Sequence, residues 1–233
     1  MNYTELKRLA ESGDSDYQLM LARLYGMGKI EEIESEVEPD LKESFDWCKK
    51  SAELGNIKAQ ANLGNMYNQA IGTEHDPING RFWLEKAASQ GHERSKVLLA
   101  TIYMRGVNVD VDIDKALEFL YSGANSGDPE AQMFLGSSYM EGKDIPQDWD
   151  EAIFWLTKAA ESYEPDGQYN LGLLYLTHPN TRVRNYYKGY KWLYSSIVNE
   201  AKNAHHAQQM LDKLADYITK DEIDSAKNEA MCR

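Results

Sequence analysis

The sequence predicts an all-α solenoid of about six antiparallel helix pairs, and three observations carry that prediction. First, Leu63, Leu99, Leu135 and Leu171 recur every 36 residues, as do Tyr67, Tyr103, Tyr139 and Tyr175. Second, a small residue follows each period leucine (Gly64, Ala100, Gly136, Gly172), where a side chain would hold the second helix of a pair away from the first. Ala52, Ala88, Ala124 and Ala160 read as their counterparts on the second helices. Third, Asp40, Asp76, Asp112 and Asp148 keep the same step, each at the position of a helix cap. Neither helix of such a unit buries its apolar stripe alone, so the neighbouring pair must cover it.

Taken in order, residues 2–13 form a leading half-unit, because Leu6 to Asp14 (LKRLAESGD) resembles the end of a second helix. Residues 14–56 make the first full unit, six residues longer than the others. The extra length falls in the acidic stretch Glu31 to Glu38, before a capping box at Asp40 and Glu43. In unit 57–92, Ala59, Leu63, Met66, Tyr67 and Ala70 recur at three- and four-residue steps, the buried stripe of a first helix. Gly72 and Thr73-Glu74-His75 break it. Asp76-Pro77 starts the second helix, Trp83, Leu84, Ala87 and Ala88 continue it, and Gly91 stops it. Units 93–128 and 129–164 repeat the pattern, with Phe119 in the place of the aromatic held by Trp47, Trp83 and Trp155, and a second capping box at Asp148 and Glu151. Unit 165–200 departs from it: His178 replaces the loop glycine, Arg184 replaces the Asp, and Trp192 is displaced by one residue, so an altered loop is expected. Residues 201–233 form a degenerate last pair split at Thr219-Lys220-Asp221, which brings the expectation to about thirteen helices, no strand and a single repeat domain over 1–233.

The formal net charge of −13 disfavours nucleic acid and anionic lipid as partners, and favours solubility or a basic partner. No stretch approaches the length of a membrane span, and the N-terminal residues lack a leader pattern, so a cytoplasmic protein is expected. Cys48 and Cys232 are far apart and imply neither a disulfide framework nor a zinc site.

Catalytic signatures are not found: there is no G-x-S-x-G, S-x-x-K, C-x-x-C, H-E-x-x-H or G-x-x-x-x-G-K. Asp110, Asp112 and Asp114 mimic a calcium loop, but Lys115 stands where its glycine belongs and Tyr121 where its closing Glu belongs. His205 and His206 point about 100° apart on a helix and do not converge on one ion. No cofactor and no metal is expected. The cluster Arg182, Arg184, Lys188 and Lys191, interleaved with Tyr186, Tyr187, Tyr190, Trp192 and Tyr194, reads first as a solvated helix face, then as a protein contact, and only last as an RNA cradle.

The string Ala131…Leu135-Gly136…Tyr139…Gly142…Asp148…Glu151-Ala152…Trp155…Lys158-Ala159-Ala160 resembles the Sel-one-like repeat family, relatives of the tetratricopeptide repeats. The resemblance implies a right-handed superhelix and a non-catalytic scaffold or adaptor that holds a protein or peptide in a concave groove lined by the first helices. Carried onto this chain, the groove positions are Arg23, Lys58, Asn65, Asn68, Arg94, Thr101, Met104, Arg105, Met133, Ser137, Met140, Glu141, Tyr169 and Leu173. Among the methionines, Met66 is expected in the core and Met133 and Met140 in the groove. The alternative is an immunity protein or inhibitor that neutralises a basic toxic enzyme, motivated by the net charge and the acidic insertion at 31–43. Cysteine-rich relatives are linked to penicillin binding and hydrolysis, but this chain lacks their cysteine pairs and an S-x-x-K, so no enzyme is expected.

Overall fold

The computed structural model describes residues 1–231. Among them are thirteen helices and no strand: α1 (Tyr3–Glu11), α2 (Ser15–Met27), α3 (Leu41–Glu53), α4 (Ile57–Gln69), α5 (Pro77–Ser89), α6 (Glu93–Arg105), α7 (Ile113–Asn125), α8 (Pro129–Glu141), α9 (Trp149–Glu161), α10 (Pro165–Thr177), α11 (Tyr186–Val198), α12 (Ala204–Leu214) and α13 (Lys220–Met231). They fall into two compact units, one from Met1 to Val111 and the other from Asp112 onward. In the first, α2 packs on α3 and α4 on α5, with α1 against α2 as the leading half-unit. In the second, α8 packs on α9 and α10 on α11, and α12 and α13 close against α11.

The pairs form because the period leucines are wholly buried and the residue after each is small. A Cβ built on Gly64 would lie 2.7 Å from Leu84 Cγ, one on Gly136 2.7 Å from Leu156 Cγ, and one on Gly172 2.8 Å from Leu193 Cγ. Leucine is therefore the residue that faces the glycine. The alanines read as its counterparts do something else. Gln18, Gln60, Gln132 and Gln168, buried near the start of their helices, donate Nε2–H to the carbonyls of Ala10, Ala52, Ala124 and Ala160 at 3.1, 3.2, 3.1 and 3.1 Å. Each of these carbonyls already accepts a backbone N–H three residues on (Gly13, Gly55, Gly127 and Tyr163), so the glutamine supplies a second bond, from the start of one pair to the end of the one before. At the remaining step Lys96 stands in place of the glutamine, its ammonium 3.0 Å from Glu93.

The caps form as expected at Asp40, Asp76, Asp112 and Asp148, each carboxylate accepting the backbone N–H three residues on. The reciprocal half of the two capping boxes does not form. Glu43 and Glu151 instead accept the indole N–H of Trp47 and Trp155, at 3.1 and 2.9 Å. The cap residue's own N–H is already spent on the carbonyl of a tyrosine late in the preceding helix, Asp40 to Tyr25 at 2.8 Å and Asp148 to Tyr139 at 3.1 Å. A reciprocal box occurs where the sequence reading placed only a break: Thr219 N–H donates to Glu222 Oε2 at 2.8 Å, and Glu222 N–H to Thr219 Oγ1 at 3.3 Å.

Between pairs, Gly13, Gly55, Gly91 and Gly127 turn the chain at φ of 94, 91, 87 and 90°. The same turn after α9 and after α11 is made by Tyr163 (φ 61°) and Glu200 (φ 62°), which carry a Cβ into left-handed space. Ala70, in the place of the loop glycine, also adopts the left-handed conformation (φ 55°). His178 does not: at φ −51° and ψ 130° it is extended, so the loop of the fifth unit differs, as its sequence predicts. Buried His178 lies tilted against Trp149 with centroids 5.0 Å apart, and its carbonyl accepts both Nε–H and Nη2–H of Arg184.

Candidate partner-binding site

In the first unit the outward stripes of two first helices, part exposed and part buried, face each other. Asp16, Leu19 and Arg23 follow at three- and four-residue steps on α2, and Lys58, Asn62 and Asn65 do so on α4. Two adjoining depressions lie between them. One, of about 580 Å³, is lined by Asp16, Leu19, Met20, Arg23, Lys58, Asn62 and His92. The other, of about 210 Å³, shares Leu19, Arg23 and Asn62 and adds Ala22, Ser44, Cys48, Asn65, Met66 and Ile71. The structure thus brings together Arg23, Lys58 and Asn65 of the expected groove residues. Met20, Asn62 and His92 were not anticipated; the heptad-like spacing from Lys58 would have included Asn62.

His92 caps α6 with its ring, Nδ1 accepting Ser95 N–H at 3.2 Å. Burial holds its pKa below the ordinary imidazole value, against the pull of Glu93 and with a smaller push from the cations Arg94 and Lys58. At the floor of the smaller depression, burial pushes the Cys48 thiol up to about 12, and its Sγ–H donates to Ala59 O at 3.4 Å. Cys232 lies outside the described residues.

The other expected groove positions divide in two. Arg94, Arg105 and Glu141 are exposed, and Thr101, Met104, Ser137, Met140 and Leu173 are half-buried. Asn170 Nδ2–H donates to Ser137 Oγ at 2.8 Å, joining α8 and α10 along their shared face. Three residues need correction. Met133 (9% exposed) and Tyr169 (8%) are in the core, because the helix positions two before the leucine turn inward toward the neighbouring pair. Asn68 turns to its own second helix, its amide filling the space over Gly80 where a Cβ would come within 2.1 Å of Oδ1.

The acidic insertion is not a free comb of charge. Ile30 and Ile33 bury it in the core of the first unit, Val37 N–H bonds Gly28 O at 2.9 Å, and Glu34 N–H bonds Met1 O at 3.0 Å. Of its acids, Glu32 pairs with Arg23 at 3.2 Å and Glu36 with Lys29 at 2.5 Å, and both carboxyls titrate below the usual range. The basic and aromatic cluster in the second unit is likewise engaged. Lys191 pairs with Glu229 of α13 at 2.8 Å, Tyr187 O–H donates to the same carboxylate at 2.5 Å, and Lys188 lies over the ring of Tyr175. Trp192, expected in the core, is only half-buried at its edge. His205 and His206 are exposed on α12. No described helix is long and apolar enough to cross a membrane.

The Sel1 repeat matches this chain over residues 15–56, 57–92, 95–128, 129–163 and 165–197. Among solved structures, the chain is similar to c5321, a protective antigen of uropathogenic Escherichia coli with an SLR fold, at 27% identity and a TM-score of 0.82, covering 98% of this chain and 49% of that one. A Sel1 repeat protein from Oxalobacter formigenes is 27% identical with a TM-score of 0.73, covering 90% of this chain and 57% of its own. The chain therefore spans about half the length of these two relatives. The immunity protein Pa5087 of Pseudomonas aeruginosa shares the fold at 18% identity and a TM-score of 0.54, covering 94% of this chain and 84% of that one. No curated protein matches in sequence. With five matched units across residues 15–197, the chain belongs to the Sel1 repeat family.

Proposed function

We propose that the chain is a non-catalytic scaffold that captures a protein partner on the exposed faces of its first helices. The observation that carries the reading is the pair of depressions between α2 and α4, where amides, cations and apolar groups line one surface over a well-packed floor. Sel1 repeats generally mediate protein–protein interaction, which supports it. The test is capture from extracts of the native cell by the immobilised full chain. Replacing Asn62, Asn65, Arg105 and Glu141 together with Ala removes groups that make no hydrogen bond or ion pair among the described residues, so a specific partner is lost while helicity and melting stay as they were. Undiminished capture by that variant sinks the reading.

Inhibition of a basic enzyme is the second reading. The shared fold of an immunity protein and the net charge of −13 favour it. The ion pairs that occupy Glu32 and Glu36 weaken it, because the insertion offers fewer unpaired carboxylates than its composition suggests.

A further inference from the structure

The α2–α4 groove is chemically unlike the rest of this acidic chain. Lys58 is exposed and has no ion-pair partner among the described residues, and Arg23 reaches the same depression, its guanidinium held only by a half-exposed Glu32. Asp16, the acid at the near end, accepts the amide of Asn56 at 2.7 Å. Asn62 and Asn65 lie one helical turn apart on the same face, and neither side chain makes a hydrogen bond among the described residues. Each amide offers a donor and an acceptor side by side, the complement of a peptide group. Beside them the smaller depression, about 210 Å³, has a floor of Leu19, Met66 and Ile71.

We infer that this groove binds an extended segment of a partner protein in which an acidic residue lies next to a medium-sized apolar one. The backbone of the segment is clamped by Asn62 and Asn65, the apolar side chain fills the smaller depression, and the carboxylate reaches Lys58. The inference rests on the scaffold reading and gives it a ligand chemistry opposite to the one the net charge suggests. A carboxylate seated here also adds a negative charge near His92, whose imidazole burial, with a smaller push from Arg94 and Lys58, keeps easy to deprotonate.

The experiment is selection of random heptapeptides displayed on phage against the full chain, in parallel with Lys58→Glu and with Asn62→Ala/Asn65→Ala. Both variants alter side chains that make no hydrogen bond or ion pair among the described residues, and circular dichroism verifies that they are intact. Recovered sequences are expected to carry Asp or Glu within two residues of Leu, Ile, Val or Met, and their recovery to fall at least about tenfold on each variant. An acetylated, amidated peptide of the recovered sequence is expected to raise the NMR titration midpoint of His92, and its Asn or Gln counterpart to leave it unmoved. Recovery of basic segments, equal recovery on the variants, or none above blank beads overturns the inference. The scaffold reading survives that failure if partner capture is still lost in the four-residue surface variant described above. It fails separately if that variant captures normally.

Discussion

His92 caps α6 by accepting a backbone N–H on Nδ1, a bond that only the neutral ring can make. Its folded pKa lies below the ordinary value, so across that window the unfolded chain binds more protons than the folded one, and stability rises with pH. The contribution is complete above the unfolded pKa of about 6.5 and is lost as pH falls through the folded one. Asn56 caps α4 with an amide that does not titrate, which makes His92→Asn the informative change. The difference in denaturation midpoint between wild type and His92→Asn is expected to grow in favour of the variant between pH ~8 and ~5; a difference constant in pH removes the ring from the account. Tyr163 poses a different problem. It is exposed, makes the turn at φ 61°, and occupies the place that glycine holds after α1, α3, α5 and α7. Tyr163→Gly is expected to stabilise by roughly 1 kcal/mol in urea denaturation, the cost of a Cβ in left-handed space.

At the scale of the element, the contact between the two helices of a pair is set by one missing side chain. Gly136→Leu has to displace Leu156, whose backbone N is 2.9 Å from the added Cβ, and is expected to cost about 1–3 kcal/mol or more. An unchanged melting temperature would mean that α8 and α9 do not meet there. The junction between pairs admits an improvement. Gln60 Oε1 accepts Gln90 Nε2–H at 2.6 Å and Gln168 Oε1 accepts Asn199 Nδ2–H at 3.0 Å, both partners being the cap residue just past the end of a second helix. The residue at that position after α9 is Ser162, too short to reach, and Gln132 Oε1 is buried without a hydrogen-bond partner among the described residues. Ser162→Gln is expected to add about 1 kcal/mol, and the same change in a Gln132→Met background to add nothing. The helices, their caps and the glycine contacts were legible in the sequence because each rests on a residue type that repeats at a fixed step. The glutamine bonds were not read, although Gln60, Gln132 and Gln168 keep the period: a polar residue on an apolar stripe says nothing of its partner until the preceding pair is in place. The capping boxes were misread for a related reason, since the tyrosine carbonyl and the indole that compete for their groups lie on other turns of the chain.

For the whole molecule, the groove was legible in part. Exposure of Arg23, Lys58, Arg94 and Arg105 follows from helical spacing alone, whereas the burial of Met133 and Tyr169 depends on the neighbouring pair, which spacing does not show. Charge separates the two functional readings. A scaffold that reads a peptide between α2 and α4 is expected to bind its partner with little change in on-rate as salt rises. Capture of a basic enzyme by the net charge of −13 is expected to slow markedly as the Debye length shrinks from ~10 Å at 0.1 M to ~3 Å at 1 M. Stopped-flow association with the captured partner distinguishes them, and Glu36→Gln/Glu38→Gln, at residues that do not line the groove, is expected to leave the first profile unchanged.

The glutamine that reaches back across four of the junctions has a consequence for how such chains change length. Gln132 seals the carbonyl of Ala124 and Gln168 that of Ala160, through the same atoms at the same 3.1 Å. Excising residues 129–164 as a block would present Gln168 to Ala124 with nothing at the seam to reinvent, as a coupling of common gauge lets one carriage be removed from a train. Gain or loss of whole 36-residue blocks is then mechanically cheap, while an insertion of any other length must, like the stretch at 31–38, be folded away within a single unit.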